Sequence, residues 1–446
     1  MAKREIIGVD APVPVVKAIP LGLQHFMSMF GSTVLVPFLT GMSPSLAIMC
    51  SGIGTILYLL VTNHKIPSYL GSSFAFITPI IVIGSSQGLA AAGSGIMAAG
   101  AVYIIVALVV KLAGTKWISR VLPTPVVAPV IIVIGLGLSA TAIKMAFYGG
   151  SSSTVFDGTG LMLATITLLA AVVFSTFFEG FVATVPVLLA IIVGYVCACF
   201  AGKVDLSAVA SAAWIGLPSP QLPTFSMSAV VLIAPVAFVV VIEHIGHLLV
   251  VGEIVGKDYS PMLWRSLLGD GLATMTAGFL GGTPATTYAE NIGVMSATRV
   301  YSTRIFWWAA GFAFLIGGFC PKLEALINSV PTCVMGGVSL LLFGLIASNG
   351  LRMLVTDKVD FSKNRNLMLV SVILVIGIGM ETSGTTIPLG DYSLPGMATS
   401  ALIGVLLNLI LPHEKHEPEV PGATPEDTKE LQEQEIATES LLSDAE

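Results

Sequence analysis

Apolar runs separated by short polar breaks organise this chain from about residue 17 to about residue 411. Most of the runs are close to 20 residues long, the length of helix that crosses a bilayer. The pattern predicts fourteen segments, at roughly 17–40, 45–62, 68–86, 92–112, 121–143, 160–178, 182–201, 226–251, 263–281, 284–299, 303–320, 326–350, 366–381 and 394–411. The third and tenth carry Pro, Gly, Ser and Thr where a regular span carries Leu, so both are expected to be interrupted in mid-membrane. The expected class is an all-α polytopic membrane protein.

An internal repeat links the two interrupted segments. Ser72-Ser73-Phe74-Ala75 recurs as Thr286-Thr287-Tyr288-Ala289. An odd number of segments, seven, separates the copies, which gives them opposite orientations across the membrane. Two inverted halves with broken segments at matching positions point to a transporter's binding site. Backbone that leaves the helix there must face protein or a water-filled cavity, where it can bind a small polar substrate.

Composition supports this reading. Of the 446 residues 55% are apolar and only 10% charged, against about 25% charged in an average soluble domain. A soluble enzyme, a disordered chain and a nucleic-acid binder are excluded. The net charge of −6 belongs to the last 34 residues, whose eleven acids and two bases leave the remainder about +3. Residues 413–446 read as a solvated, disordered cytoplasmic tail, with Asp427–Leu442 as a possible short helix. With the N-terminus inside, seventeen Lys and Arg fall on the cytoplasmic side and three, Lys144, Lys203 and Lys322, outside. Both termini are therefore expected in the cytoplasm, and the first segment is too long for a cleaved leader. The five cysteines read as free thiols packed in the core.

Three acids stand inside predicted segments: Glu243, Asp270 and Glu290. The other twelve outside the tail, Glu381 and Asp391 among them, fall at loops or segment ends. A carboxylate at the bilayer centre costs about 2.5–3.5 kcal/mol or more, so each of the three marks function. Glu243 and His247 share a helix face, and His244 is turned away as a packed or interfacial residue. Asp270, between two glycines, either links segments or couples. His25 is the other titratable group at mid-membrane. No metal-ligand spacing is present, nor any nucleophile elbow or cofactor loop of an enzyme. Two carboxylates accept the N–H groups of a flat polar ring, and Phe74, Phe76 and Tyr288 supply stacking faces.

Glu290-Asn291-Ile292-Gly293-Val294-Met295-Ser296-Ala297-Thr298-Arg299 resembles the signature of the nucleobase–ascorbate transporter family at every fixed position. Gln24-His25, Gly71–Phe76 and Glu243–His247 also match. The likeness runs over about residues 5–410, and the opening Glu is similar to that of the family's bacterial uracil permeases. It implies seven-plus-seven inverted repeats, short β-strands in segments three and ten, and two moving bodies. A core would comprise residues 17–116 and 226–320, and a gate 117–225 and 321–412, between a cytoplasmic 1–16 and the tail 413–446. It implies proton symport of uracil or a related nucleobase by an elevator movement, in a lipid-embedded homodimer of the bacterial inner membrane, with the proton as coupling ion and no cofactor. By position, Glu243 and Glu290 would hold the base, with the amides of Phe74 and Ala289 on its oxygens. Tyr288 would line the site and His247 act through water. His25 and Asn291 would support the network, with Asp270 in the coupling set. Ala289 replaces the family's Gly, and Phe343 stands where a Tyr is expected, so a different pyrimidine range is open. Xanthine or another purine is the alternative substrate. Anion exchange on the same fold is disfavoured by the carboxylates.

Overall fold

The computed structural model describes residues 6–150, 155–389 and 392–412. The N-terminal Glu5, the loop acid Asp391, the expected tail helix and all of 413–446 lie outside the described residues. The chain divides into a unit ending at Leu409 and a second unit from Ile410, which falls almost wholly in that undescribed tail.

The first unit begins with α1 (Val15–Thr40) and α2 (Pro44–Val61). The three-residue strand β1 (Leu70–Ser72) follows, then α3 (Ile77–Gln87) and α4 (Leu89–Ala113). Next come α5 (Thr124–Gly137), α6 (Ser139–Tyr148), α7 (Gly158–Thr176) and α8 (Pro186–Phe200). The chain then forms α9 (Met227–Ile233), α10 (Val236–Val255) and α11 (Leu263–Leu280). A second short strand, β2 (Ala285–Thr287), leads into α12 (Ala289–Thr298) and α13 (Thr303–Phe312). The unit closes with α14 (Thr332–Thr356), α15 (Asn364–Ser383) and α16 (Gly396–Ile410), α15 and α16 being joined through a small β-hairpin.

Local chemistry sets the ends. Ser43 caps α2, accepting from the Leu46 amide at 3.2 Å, and Asp157 caps α7 through Gly160 at 3.0 Å. Gly41, Gly256, Gly281 and Gly384 close helices in the left-handed conformation.

Among the described residues, eight helices are long and apolar enough to cross a membrane. A ninth span is obtained if Thr303–Gly317 and Pro321–Asn328, bent by 81°, count as one. The fourteen expected segments are thus not all of that kind. Segments three and ten are strand plus short helix, and α11 carries Arg265 and Asp270, which lower its apolarity. The cysteines are free, but Cys199 is exposed on the outer face of α8 rather than in the core.

Two packing groups are evident. Helix α11 lies against α2 and α4, and α13 against α1 and α2; α14 lies against α5, α6 and α7, with α8 on α7 and α15 on α5. The α4–α11 contact is the most extensive, and two glycine pairs let the backbones meet there. A Cβ on Gly93 would stand 2.9 Å from the Gly278 oxygen, and one on Gly271 2.9 Å from the Gly100 oxygen. Backbone oxygens stand in the way there, and at Gly271 Ile104 Cγ1 at 2.9 Å and Tyr103 Cβ at 3.0 Å crowd the same space. Gly271→Val is therefore expected to cost about 2 kcal/mol or more by overpacking, read as a lowered thermal midpoint of the purified protein. An unchanged midpoint contradicts this packing.

The expected strands are present and they pair with each other. Strand β1 runs antiparallel to β2, in the register Leu70↔Thr287, Gly71↔Thr286 and Ser72↔Ala285. The pairing extends by one bond at each end, Ser73 N to Pro284 O at 2.9 Å and Tyr288 N to Tyr69 O at 3.2 Å. Thr55 of α2 accepts from the Leu70 amide at 3.0 Å, and Thr274 of α11 binds the Ala285 backbone at 3.2 Å. The backbone of the two strands is thus paired by protein, as it must be in lipid.

Candidate functional site

Helices restart on both sides of the strand pair. A single 3-10 turn, Phe74–Phe76, leads into α3, and Ala289 opens α12. Each helix start leaves amide groups without a helical partner beside the strands. Ala289 lies in helical backbone and is not among the residues with positive φ. Replacement of the family's Gly therefore carries no backbone strain.

Glu290 is half-buried in the first turn of α12, and Ser32 of α1 donates to its carboxylate. Glu243 is half-buried on α10, and no hydrogen bond to its carboxyl is found among the described residues. It lies within electrostatic range of Glu290 and Asp270. His247, one turn on, has Nδ1 3.0 Å from Thr287 Oγ1, so β2 holds its ring.

Tyr288 is buried and locks the crossing. Its hydroxyl donates to the Ser72 oxygen at 2.8 Å and lies 3.3 Å from Thr33 Oγ1. Gly71 makes room for this ring: a Cβ there would be 2.5 Å from Tyr288 Cε2. Phe74 meets Phe343 of α14 edge to face, with centroids 5.8 Å apart. An aromatic wall thus spans the two packing groups.

Asn291 and His25 form a buried pair behind Glu290. Asn291 Nδ2 is 3.0 Å from His25 Nδ1 and 3.1 Å from the His25 carbonyl. A carbonyl only accepts, so this atom is the donor, and Nδ1 accepts from it. Neutral His25 then carries its proton on Nε2. The ring rests on Phe306, centroids 4.6 Å apart.

Asp270 does not join the other two carboxylates' side of α10. It faces His244, whose Nδ1 is 3.0 Å from Asp270 Oδ2. His244 Nε2 lies 2.7 Å from Ser266 Oγ, which is 2.6 Å from Tyr58 OH. All four side chains are buried. The chain Tyr58–Ser266–His244–Asp270 ties α2, α10 and α11 together.

A cavity of about 420 Å³ reaches Glu290 from the Thr298 end of α12. Gln24, Ser28, Thr184, Glu290, Thr298 and Leu342 contribute to its wall. No Lys or Arg does. Such a volume suits a small molecule, and its charged group is an acceptor. The arrangement can bind a neutral ring that presents N–H groups. Among the described residues no cluster of His, Cys, Asp and Glu is arranged to hold a metal ion.

Comparison with known proteins accords with this geometry. A model described as the Permease family matches residues 16–385. The chain belongs to the permease family. This permease is 47% identical over 429 residues to the uracil permease of Bacillus subtilis (strain 168), covering 94% of this chain and 98% of that one. It is 43% identical to the uracil permease of Escherichia coli (strain K12), over 91% of this chain and 94% of the other. Among solved structures it is similar to the transmembrane domain of a cyanobacterium bicarbonate transporter BicA. The TM-score is 0.66 at 14% identity, over 85% of this chain and all of that one. Murine Slc26a9, an anion transporter in the inward-facing state, also gives 0.66, at 10% identity over 89% of this chain and 68% of that one. At those identities the likeness is one of fold. The permease is a multi-pass membrane protein and a transporter, not an enzyme.

Four residues of the site escape a reading of the sequence: Ser32, Thr33, Thr287 and Ser266. Ser32 left a trace, since His25, Ser28 and Ser32 recur at three- and four-residue steps on one face of α1. Thr287 is part of the repeat, but only the strand register turns it toward His247. Nothing in the sequence marks Ser266 as His244's partner.

Proposed function

We propose that the permease imports uracil, or a closely related pyrimidine base, by proton symport. The observation that carries this is the pair of half-buried carboxylates, Glu243 and Glu290, beside the crossed strands, with helical turns starting at Phe74 and Ala289. Carboxylates accept the ring N–H groups, and the amides of Phe74 and Ala289 donate to its carbonyls. Phe74 and Tyr288 supply the apolar walls. The names of the relatives support the same substrate class.

In this reading Glu243 or His247 takes the coupled proton, and His25 with Asn291 holds Glu290's helix in place. Asp270 acts from the far side of α10, through His244. The two packing groups serve as core and gate, and the antiparallel pairing of the repeated segments fits fourteen spans in two inverted halves. The core moves against the gate as an elevator, in a homodimer surrounded by lipid. The Thr298 end of the cavity carries Arg299 and is taken as cytoplasmic under the positive-inside rule, with both termini on that side. The membrane is the bacterial inner membrane. Glu rather than Gln at position 290 favours a pyrimidine over a purine. Anion transport conflicts with a cavity whose wall carries the Glu290 carboxylate and no cation.

Binding tests the substrate. Uracil added to purified permease is expected to raise its thermal midpoint at lower concentration than thymine, and xanthine to leave it unchanged. A shift by xanthine alone would replace uracil with a purine. With Phe343 leaving that wall without a hydroxyl, thymine is expected to bind within roughly tenfold of uracil, about 1.4 kcal/mol.

A further inference from the structure

The remaining intramembrane contact of note involves Glu381, at the end of α15. Both carboxylate oxygens are engaged: Oε1 accepts from the Met397 amide at 2.9 Å, and Oε2 from the Thr78 hydroxyl at 3.0 Å. Two glycines make room for this residue. A Cβ on Gly137 of α5 would stand 3.1 Å from its Cβ and Cγ, and one on Gly396 would stand 3.0 Å from its backbone nitrogen. The Met397 amide is at the start of α16, where a carboxylate is also favoured by the helix dipole.

Thr78 comes from the other packing group. It sits in the first turn of α3, four residues beyond Phe74, so it moves with the turn that lines the site. The cavity approaches Glu290 along α12 toward Thr298, and neither α3 nor α15 contributes to its wall; α3 follows the turn whose Phe74 packs on Phe343. The site is therefore open along α12, and away from that opening α3 and α15 are joined by the one side-chain hydrogen bond between them among the described residues.

We propose that Glu381 is a positioning residue for transport, and that its bond to Thr78 latches the site shut at the end opposite the cavity. The bond forms when the cavity is open and must break before the site opens to the other side. This rests on the alternating-access reading of the two packing groups and not on the identity of the substrate. A hydrogen bond to an ionised carboxylate shifts an equilibrium by roughly tenfold or more when removed.

Hydrogen exchange on full-length, substrate-free permease tests the latch. Thr78→Val removes the cross-contact and keeps Glu381 on the Met397 amide, so α16 stays capped. The expected result is faster exchange, by roughly tenfold, in residues 77–87 and 378–384. Slower exchange is expected in residues 180–187 and 293–298, which line the cavity. Thr78→Ser restores the original pattern. Faster exchange confined to α3, or faster exchange everywhere with no gain of protection at the cavity, overturns the proposal. Because no substrate is present, failure of wild-type uracil binding would sink the substrate assignment and leave this result standing.

Discussion

Glu243→Gln is expected to abolish gradient-driven uracil uptake while leaving the permease folded. The side chain is half-buried, has no hydrogen bond among the described residues and lies within electrostatic range of Glu290 and Asp270. Nothing in the fold depends on its charge. Gln has the same shape but turns an acceptor oxygen into an N–H donor, which then confronts a donor on the base. Loss of a charge-assisted hydrogen bond costs about 1.5–3 kcal/mol, so binding should weaken by roughly ten- to a hundredfold. Uptake should fall further, because Gln cannot take up and release a proton. The thermal midpoint should hold or rise, since a desolvated, unpartnered carboxyl is removed. Uptake in proteoliposomes and a melting curve check both halves. Wild-type uptake by the variant would remove Glu243 from the mechanism.

Asp270→Ala is expected to have the opposite profile, with the larger effect on stability. Asp270 and His244 are both about 1% exposed and face each other at 3.0 Å. Removing one partner of a buried pair costs about 3–5 kcal/mol, because the other is left unpaired. His244 keeps Ser266 and Tyr58 on Nε2, but Nδ1 loses its counterpart. The double variant Asp270→Ala with His244→Ala should recover part of the loss, with a coupling of about 1–3 kcal/mol. Additive losses would mean that the pair is not a unit. Asp270→Asn, which keeps the volume, should melt closer to wild type and still transport poorly if the residue also couples.

The interrupted segments were the most legible part of this chain. Gly, Pro and hydroxyl residues in place of Leu, repeated 214 positions apart, marked where helices break. The fold pairs those breaks as β1 and β2. The number of membrane-long helices was less legible, because hydropathy alone does not separate a straight span from a strand and a half-helix. Glu243, Glu290 and His247 stood out because charge inside a bilayer is costly. Ser32 did not, because a helical Ser usually bonds its own backbone, and only tertiary packing brings α1 against α12. The glycines around Asp270 correctly signalled close approach, but it is Gly271 that meets α4 while Asp270 turns to α10. His244 read as a packed residue and is buried, with a partner that no spacing rule could name. Glu381 read as a segment end. Its burial depends on the start of α16 and on Thr78, which is 303 residues away in sequence.

Uptake of radiolabelled uracil into proteoliposomes, with and without an inward proton gradient, tests the central claim most directly. Accumulation above equilibrium only with the gradient, lost in Glu243→Gln and blocked by excess unlabelled uracil but not by xanthine, is the expected result. Uptake indifferent to the gradient, or gradient-driven uptake of xanthine in place of uracil, would contradict it.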